Sequence, residues 1–309
     1  MSDKSQRQKI TPFFWFDNQA EEAMEFYVST FRNSRILSRK KWPEKSPFPP
    51  DSSKPGTLQT GAFILDGVKF YAFDAGPMFR FNSSISFFVM YEDAAEIDRL
   101  WNLLVEEGEV LMPLDSYAWS KKYGWLKDRY GITWQLSVGD RNQISQRIVP
   151  LLMFSGRQRG KASEALELYS SVFPDSAIDT VFKYEKGEPG PEGMVKHARC
   201  TLAGETFMLM DSGVENNIPF TEAISLFVAC MDQQEVDYYW DKLSDGGEES
   251  ACGWVKDKFG VSWQIIPVFI FEKLIHGDPD RSLKMMEALN KMGKLDVAAL
   301  ENAYNSVRD

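Results

Sequence analysis

The sequence predicts an α+β protein of two tandem domains, each built from two successive βαβββ units, followed by a helical C-terminal extension. Three observations support this fold class. The chain repeats itself, each copy restarts the same order of strand and helix patterns halfway along, and the repeat stops after Pro267. We therefore expect one domain at residues 8–140, a second at residues 146–270 and the extension at residues 271–309.

The repeat is clearest near the end of each copy. The segment GWLKDRYGITWQL at residues 124–136 returns as GWVKDKFGVSWQI at residues 253–265, with seven of thirteen positions identical. Gly67 and Asp74 of the first copy return as Gly204 and Asp211. Because repeated sequence marks a repeated structural unit, the chain should contain two copies of one domain.

Each copy runs through one element order twice. Apolar residues at helical spacing predict a helix over residues 20–31, and the Asp66-Gly67 dipeptide predicts a hairpin between two strands. In the first copy the predicted strands cover residues 10–16, 35–41, 57–65, 68–74, 85–90 and 133–138, with two more near residues 110 and 125, and a second helix covers residues 94–107. The first copy also carries about ten extra residues around MPLDSYAWSKKY.

Composition limits the classes of partner. The chain has 309 residues, a formal net charge of −10 and a pI near 5.0. An acidic surface repels phosphate backbones, so nucleic acid is excluded as an expected partner. No apolar run is long enough to span a membrane, and three scattered cysteines are typical of reduced thiols. We therefore expect a cytoplasmic protein with no membrane partner.

Three motifs together resemble a known family. They are ITPFFWFDNQAEEAMEFY at residues 10–27, the hairpin strand pair that ends at Asp74, and GWLKDRYGITWQL. They resemble the PhnB-like domains, often named after a demethylubiquinone methyltransferase, within the vicinal oxygen chelate superfamily of glyoxalase I, bleomycin-resistance proteins and dioxygenases. The resemblance covers about residues 10–138 and 147–268. It implies tandem glyoxalase/bleomycin-resistance-like domains whose paired units form a cup for a ligand or metal.

The same resemblance implies where a metal would bind. Metal-using relatives hold the ion with a His on the first strand of a unit and a Glu on the last. Counting from the helix tyrosines and turn glycines places Pro12 and Pro150 at the first position, and Gln135 and Gln264 at the second. Proline offers no ligand atom and an amide is a weak ligand beside a carboxylate. We therefore expect no bound transition metal and no cofactor.

Candidate ligand-binding residues follow from strand alternation. If Gln135 and Gln264 face a cup, Trp134 and Trp263 face the helices, because successive side chains of a strand point to opposite sides. Trp125 and Trp254 then fit either the cavity or the core. Asp74 and Asp211 are typical of carboxylates that cap a turn.

His197 is the histidine of most chemical interest. It lies on a predicted strand at the position where the first copy has Thr60. An imidazole there fits a general acid or base, and equally a hydrogen-bonded strand residue without a chemical role.

Two function classes remain open. The first is a metal-independent protein that binds a small molecule, with candidate ligand-binding residues His197, Gln264, Trp254, Gln135, Thr60 and Trp125. The second is a small-molecule lyase, isomerase or transferase that uses His197 as its acid or base. We expect binding to concentrate in the second copy, because it alone has His197 and because the first-copy insertion, with Tyr117, Trp119 and Tyr123, could plug the other cup. If the insertion instead closes over a ligand as a lid, the first copy is the binding one.

Assembly gives two further expectations. The two copies should pack as a pseudo-dimer within one chain, and a homodimer of the chain is also open. The methionine-rich stripe near Met285, Met286 and Leu289 fits a helix docked on the core, or a surface for a partner.

Overall fold

The computed structural model describes residues 8–140 and 146–307, and it confirms the α+β class with four βαβββ units and C-terminal helices. The first unit contains β1 (Ile10–Phe16), α1 (Ala20–Thr30), β2 (Arg35–Lys41), β3 (Leu58–Leu65) and β4 (Val68–Asp74). The second contains β5 (Ile85–Tyr91), α2 (Ala94–Leu104), β6 (Glu109–Tyr117), β7 (Ser120–Lys127) and β8 (Thr133–Val138). The third contains β9 (Ile148–Phe154), α3 (Ala162–Val172), β10 (Ala177–Lys183), β11 (Val195–Leu202) and β12 (Glu205–Asp211). The fourth contains β13 (Ile224–Cys230), α4 (Gln233–Ser244), β14 (Glu248–Glu249), β15 (Trp254–Lys256) and β16 (Ser262–Pro267). The extension contains α5 (Val268–His276), α6 (Pro279–Leu289) and α7 (Val297–Asn305).

The four units share one strand order. In the first unit, β1 lies parallel to β4, β4 pairs antiparallel with β3, and β3 pairs antiparallel with β2. The predicted hairpin at Asp66-Gly67 joins β3 to β4, and both turn residues have positive φ, at 43° and 86°. Glycine adopts that conformation without steric cost, which is why the turn carries it.

The units combine across the two copies. Sheet A has the order β14-β15-β16-β13-β1-β4-β3-β2 and joins the fourth unit to the first. Sheet B has the order β10-β11-β12-β9-β5-β8-β7-β6 and joins the third unit to the second. Both joins are antiparallel pairs of first strands, β1 with β13 and β5 with β9. The copies are therefore interleaved, and each of them spans both sheets.

A buried carboxylate holds the two units of a copy together. Asp128, 2% exposed, accepts hydrogen bonds from Tyr27 Oη on α1 (2.7 Å) and from Trp134 Nε1 on β8 (2.8 Å). Its other oxygen accepts from the backbone N–H groups of Tyr130 (2.9 Å) and Ile132 (3.0 Å), which fixes the turn before β8. Burial raises the pKa of Asp128 to about 6. The helix of a sheet A unit is thereby tied to a turn of sheet B.

The second copy repeats the arrangement with Asp257. This carboxylate accepts from Tyr169 Oη (2.7 Å), Trp263 Nε1 (2.8 Å) and two backbone N–H groups of the following turn. The Asp, Gly and Trp that the two long motifs share therefore form the same buried, hydrogen-bonded turn in both copies. The prediction that Trp134 and Trp263 face the helices is confirmed, since the ring of Trp134 lies 5.5 Å from that of Tyr27 on α1 and the ring of Trp263 lies 5.3 Å from that of Tyr169 on α3.

Asp74 and Asp211 organise the start of each copy's first helix, through contacts distant in sequence rather than by capping the adjacent turn. Asp74 accepts hydrogen bonds from the backbone N–H groups of Ala20 and Leu58, both at 2.9 Å. Asp211 accepts from Ala162 at 3.2 Å and Val195 at 2.9 Å. Each carboxylate satisfies a backbone donor in the first turn of the helix and anchors the beginning of the third strand. Their role is structural.

The C-terminal helices dock on sheet A. The ring of Phe271 on α5 lies 4.8 Å from that of Tyr71, 5.0 Å from that of Phe227 and 6.4 Å from that of Phe13, measured between centroids. On α6, Met285, Met286 and Leu289 are buried, so the methionine stripe is a core-docking surface. None of the helices in residues 8–140 and 146–307 has the length and apolarity needed to cross a bilayer.

We expect Asp128→Asn to lower the free energy of unfolding by about 1–3 kcal/mol, because the amide NH₂ would face donors that the carboxylate now satisfies. Urea unfolding monitored by circular dichroism measures this loss. Asp93→Asn is the matched control: Asp93 caps α2 at an exposed position, where asparagine is an equally good cap. Equal stability of the two variants would contradict the role assigned to Asp128.

Candidate ligand cavity

A cavity of about 580 Å³ lies on the concave face of sheet A, beneath α5 and α6. Its inner wall combines first-unit and fourth-unit strands, so both copies build it. Side chains alternate along β1: Phe13 and Trp15 face the cavity, whereas Phe14 and Phe16 are fully buried on the opposite face. Aromatic rings dominate the wall, and the main ones are Phe13, Trp15, Phe73, Phe79, Trp254 and Phe271.

Trp15 is the centre of the aromatic wall. Its ring lies 4.9 Å from Phe73, 4.7 Å from Phe79 and 6.0 Å from Trp254, all in edge-to-face contacts. Its Nε1 donates a hydrogen bond of 2.8 Å to the carbonyl of Gly76. Because neighbouring rings and a hydrogen bond fix its orientation, Trp15 presents a preformed apolar surface.

Three polar side chains in the cavity lining each have an atom without a hydrogen-bond partner in the described residues. Thr60 Oγ1 and Ser262 Oγ are buried and accept or donate no hydrogen bond there. Gln264 donates from Nε2 to Ser225 Oγ (2.8 Å), and no described group donates to its Oε1. A buried polar atom without a partner costs about 1–3 kcal/mol. A bound molecule with matching groups would recover that free energy.

The equivalent glutamine of sheet B is saturated. Gln135 donates to Ser86 Oγ (3.0 Å) and accepts from Tyr123 Oη (2.8 Å). The residue of the second copy at the Tyr123 position is Cys252, which lines the cavity and is half-buried. Burial raises the pKa of the Cys252 thiol to about 11, so it stays protonated at neutral pH and is a poor nucleophile. In sheet B the Tyr123 hydroxyl occupies the position next to the glutamine amide oxygen. The equivalent position next to Gln264 in sheet A is open.

The concave face of sheet B is filled by apolar side chains. Val149, Leu151, Met153 and Met208 form a buried cluster, and Trp125 packs against it. Trp125 Nε1 is buried and has no hydrogen-bond partner among the described residues. The insertion of the first copy forms the β6–β7 hairpin at the edge of this sheet, and its Tyr123 meets Gln135.

His197 lies on β11 of sheet B, half-buried, with its ring 6.4 Å from that of Phe88. Burial, with a smaller contribution from the charge of Arg199, lowers the pKa of His197 to about 4. The imidazole is therefore neutral at pH 7. A group with so low a pKa is a weak base, well below the value that suits general acid–base catalysis near neutrality.

The expected grouping of candidate residues is wrong. The sequence suggested that His197, Gln264 and Trp254 share a cup in the second copy. The structure places His197, Gln135 and Trp125 on sheet B, and it places Thr60, Gln264 and Trp254 on sheet A, where all three line the cavity. The physical reason is the pairing of β1 with β13, which combines units from different copies.

The first-strand metal position also needs correction. Phe13 lines the cavity, so its neighbour Pro12 faces the helices, and the same alternation puts Leu151 rather than Pro150 on the concave face. Phenylalanine and leucine offer no ligand atom, and Gln264 and Gln135 are neutral. Within the described ranges, no three His, Cys, Asp or Glu side chains are grouped to hold an ion. These residues do not fit the superfamily metal.

Sequence reasoning missed several cavity residues. Phe13 and Trp15 could have been found, because alternation along β1 gives them the same face. Phe271 and Ser262 could not, since their position depends on how α5 docks and which units pair.

Comparison with known proteins agrees with this architecture. The family model described as 3-demethylubiquinone-9 3-methyltransferase matches residues 8–137 and again residues 146–266. The chain belongs to this family. Its two matched regions correspond to the two copies, and each contains two of the four units.

Solved structures give similarity at two levels. A PhnB protein from Bacillus cereus is 42% identical over 43% of this chain and 100% of its own, with a TM-score of 0.40. A protein from Staphylococcus aureus is 35% identical over 43% of this chain and 97% of its own, with a TM-score of 0.18. Glyoxalase I from Zea mays is 9% identical over 89% of this chain and 100% of its own, with a TM-score of 0.53, which shows the shared fold. No curated protein matches the chain.

We expect NMR titration of His197 to give a pKa near 4. The unfolded value is 6.5, so the unfolded chain binds the proton more tightly, and the free energy of unfolding falls as pH drops from 6.5 to 4. His197→Thr, which introduces the first-copy residue, should remove this component, up to about 3 kcal/mol. His276→Gln, at an exposed position of α5, is the control. An unchanged pH profile in His197→Thr would contradict the assignment.

Proposed function

We propose that this protein binds a small, largely apolar and partly aromatic molecule in the sheet A cavity, without a metal. The observation that carries the proposal is the aromatic-lined cavity of about 580 Å³ that contains unpaired polar atoms of Thr60, Ser262 and Gln264. Most small-molecule sites have this form: a concave apolar space of about 300–1,000 Å³ with a few polar groups that fix orientation.

The polar atoms indicate which groups the ligand carries. Gln264 Oε1 accepts, so it calls for an N–H or O–H donor on the ligand. The hydroxyls of Thr60 and Ser262 can each donate or accept. A planar ligand body would contact Trp15 and Trp254, with its donor directed at the sheet floor.

Charge at the cavity rim selects against anions. Glu222, Glu248 and Glu249 line it, and Lys256 is the lining residue that offsets them, held 2.6 Å from Glu222. Three carboxylates against one ammonium repel a negative ligand, and the aromatic faces add a preference for positive charge. We expect a neutral or cationic ligand.

Ligand binding is better supported than a catalytic reaction in which His197 is the acid or base. The family description names a methyltransferase, and the alternative of a lyase, isomerase or transferase rests on His197 as acid or base. That side chain belongs to sheet B, away from the cavity, and its pKa near 4 makes it a weak base. Within the cavity, the thiol of Cys252 is protonated at neutral pH.

Two dyes with one skeleton test the proposal. N-phenyl-1-naphthylamine is neutral and has an N–H donor, while 8-anilinonaphthalene-1-sulfonate adds a sulfonate to the same rings. We expect the neutral dye to bind at one site per chain and about tenfold or more tighter than the anionic dye, a difference of about 1.4 kcal/mol. Fluorescence titration measures both.

Matched variants locate the site. Gln264→Met and Trp254→Ala should weaken binding of the neutral dye about tenfold, the effect of one lost hydrogen bond or one aromatic contact. Gln135→Met and Trp125→Ala make the same changes on sheet B and should leave the affinity unchanged. Circular dichroism checks that all four variants fold. Loss of binding only in the sheet B variants would refute the assignment of the site.

Metal independence has its own test. Elemental analysis of protein purified without chelator should find less than one Zn, Fe, Mn or Ni per chain, because Phe13 and Gln264 provide no suitable donor pair. Dye affinity should not change after treatment with EDTA. One stoichiometric transition metal that is lost in Gln264→Met would overturn this part of the proposal.

A further inference from the structure

The outer strands of the two sheets occupy equivalent positions but differ in surface chemistry. β2 ends sheet A with the sequence RILSRKK, and β10 ends sheet B with AIDTVFK. Aligned residue by residue, Arg39 and Lys40 of β2 correspond to Val181 and Phe182 of β10. The second copy thus carries apolar residues where the first carries positive charges.

β10 is an exposed apolar edge. Ile178, Val181 and Phe182 are 46%, 39% and 60% exposed. Its inner side pairs with β11, and no strand of residues 8–140 and 146–307 pairs with its outer side. A sheet edge offers a row of unpaired backbone donors and acceptors, and proteins commonly protect such edges with lysine and arginine. β2 has this protection, and β10 lacks it over Thr180–Phe182.

We propose that β10 is a dimerisation edge, to which β10 of a second copy of this chain adds in antiparallel orientation, centred on Val181. The occupant is argued from charge. In this register Asp179 and Lys183 flank the paired central residues, so each end of the pair brings the carboxylate of one copy near the ammonium of the other. Val181 lies opposite Val181 of the second copy, and Thr180 lies opposite Phe182. Because neighbouring side chains point to opposite faces of the sheet, each face then has an apolar contact between the two copies.

The same geometry disfavours self-pairing of β2. A pair centred on Arg39 would place two arginines directly opposite each other, and like charges in that position destabilise a sheet. Arg39 also has partners on α1 already, with Glu25 at 2.7 Å and Glu21 at 3.2 Å. The complementary pattern is specific to β10.

The dimer is expected to be weak. Register shifts between Ile178 and Thr180 and between Phe182 and Lys183 interrupt the strand, so regular pairing is limited to residues 180–182. Asp179 also lies 3.6 Å from Arg199 and keeps part of its charge satisfied within the chain. Small interfaces of this type give dissociation constants on the order of micromolar or weaker.

Sedimentation velocity over a range of concentrations tests the proposal. We expect reversible dimerisation of the wild-type chain and a monomer for the double variant Val181→Arg, Phe182→Lys, which gives β10 the residue types that β2 already tolerates at those positions. Leu37→Lys, on the exposed face of β2, is the matched control and should dimerise like wild type. A wild-type chain that stays monomeric up to about 1 mM would overturn the proposal, since even weak specific pairs form there. So would a dimer unaffected by the β10 changes.

Charge exchange tests the register. Lys183→Asp should weaken the dimer, because two pairs of carboxylates then oppose each other, and adding Asp179→Lys should restore it. Val181→Cys should form a disulfide with its own copy under mild oxidation, whereas Lys183→Cys should not. Failure of the double charge variant to restore dimerisation, together with no crosslink at Val181→Cys, would show that another edge or register is used. Dye binding in the cavity should be the same in all these variants, so this test stands apart from the proposed function.

Discussion

Two buried carboxylates, Asp128 and Asp257, determine how the chain is held together. Each one accepts four hydrogen bonds and joins the first helix of a copy to that copy's last hairpin, and these two elements belong to different sheets. The β1–β13 and β5–β9 pairs provide the complementary link, because each of them joins the two copies within one sheet. A unit is therefore bonded to one neighbour through its sheet and to another through its helix. No unit can leave the assembly without exposing a strand edge or an unpaired buried carboxylate, and both are costly.

This connectivity explains why the cavity belongs to both copies. Its floor comes from first-unit and fourth-unit strands, and its cover from α5 and α6, which follow β16 directly. The two sheets start from the same strand order but differ in what occupies their concave faces. Sheet B has Tyr123 against Gln135 and a methionine-rich cluster, whereas sheet A has Cys252 at the Tyr123 position and leaves Gln264 Oε1 open. We infer that the proposed ligand selectivity depends on these few differences between otherwise equivalent positions.

The sequence alone was sufficient for the local structure. The repeat predicted four units, and the helical spacing in α1 predicted which of its residues are buried, including Tyr27. It also predicted that Trp134 faces the helices, but not that Asp74 anchors the first turn of α1 and the start of β3. It was not sufficient for the pairing of units. β1 has the same hydrophobic pattern whether it joins β5 or β13, so no local signal distinguishes a cup built by one copy from a cup built by two. His197 was grouped with Gln264 for that reason, and the contribution of Phe271 was missed because α5 docks through tertiary contacts.

Fusion of two copies has a physical consequence that a pair of identical chains would lack. Where identical copies exchange units, every cup and every sheet edge has an identical counterpart, and a substitution changes both. In the fused chain, each sheet receives different units from each copy. One concave face can then fill with methionine while the other keeps a cavity, and one edge can carry Arg39 and Lys40 while the other carries Val181 and Phe182. Because the shared fold is held by the Asp–Tyr–Trp hydrogen bonds of both copies, these surfaces can diverge without loss of the architecture that supports them.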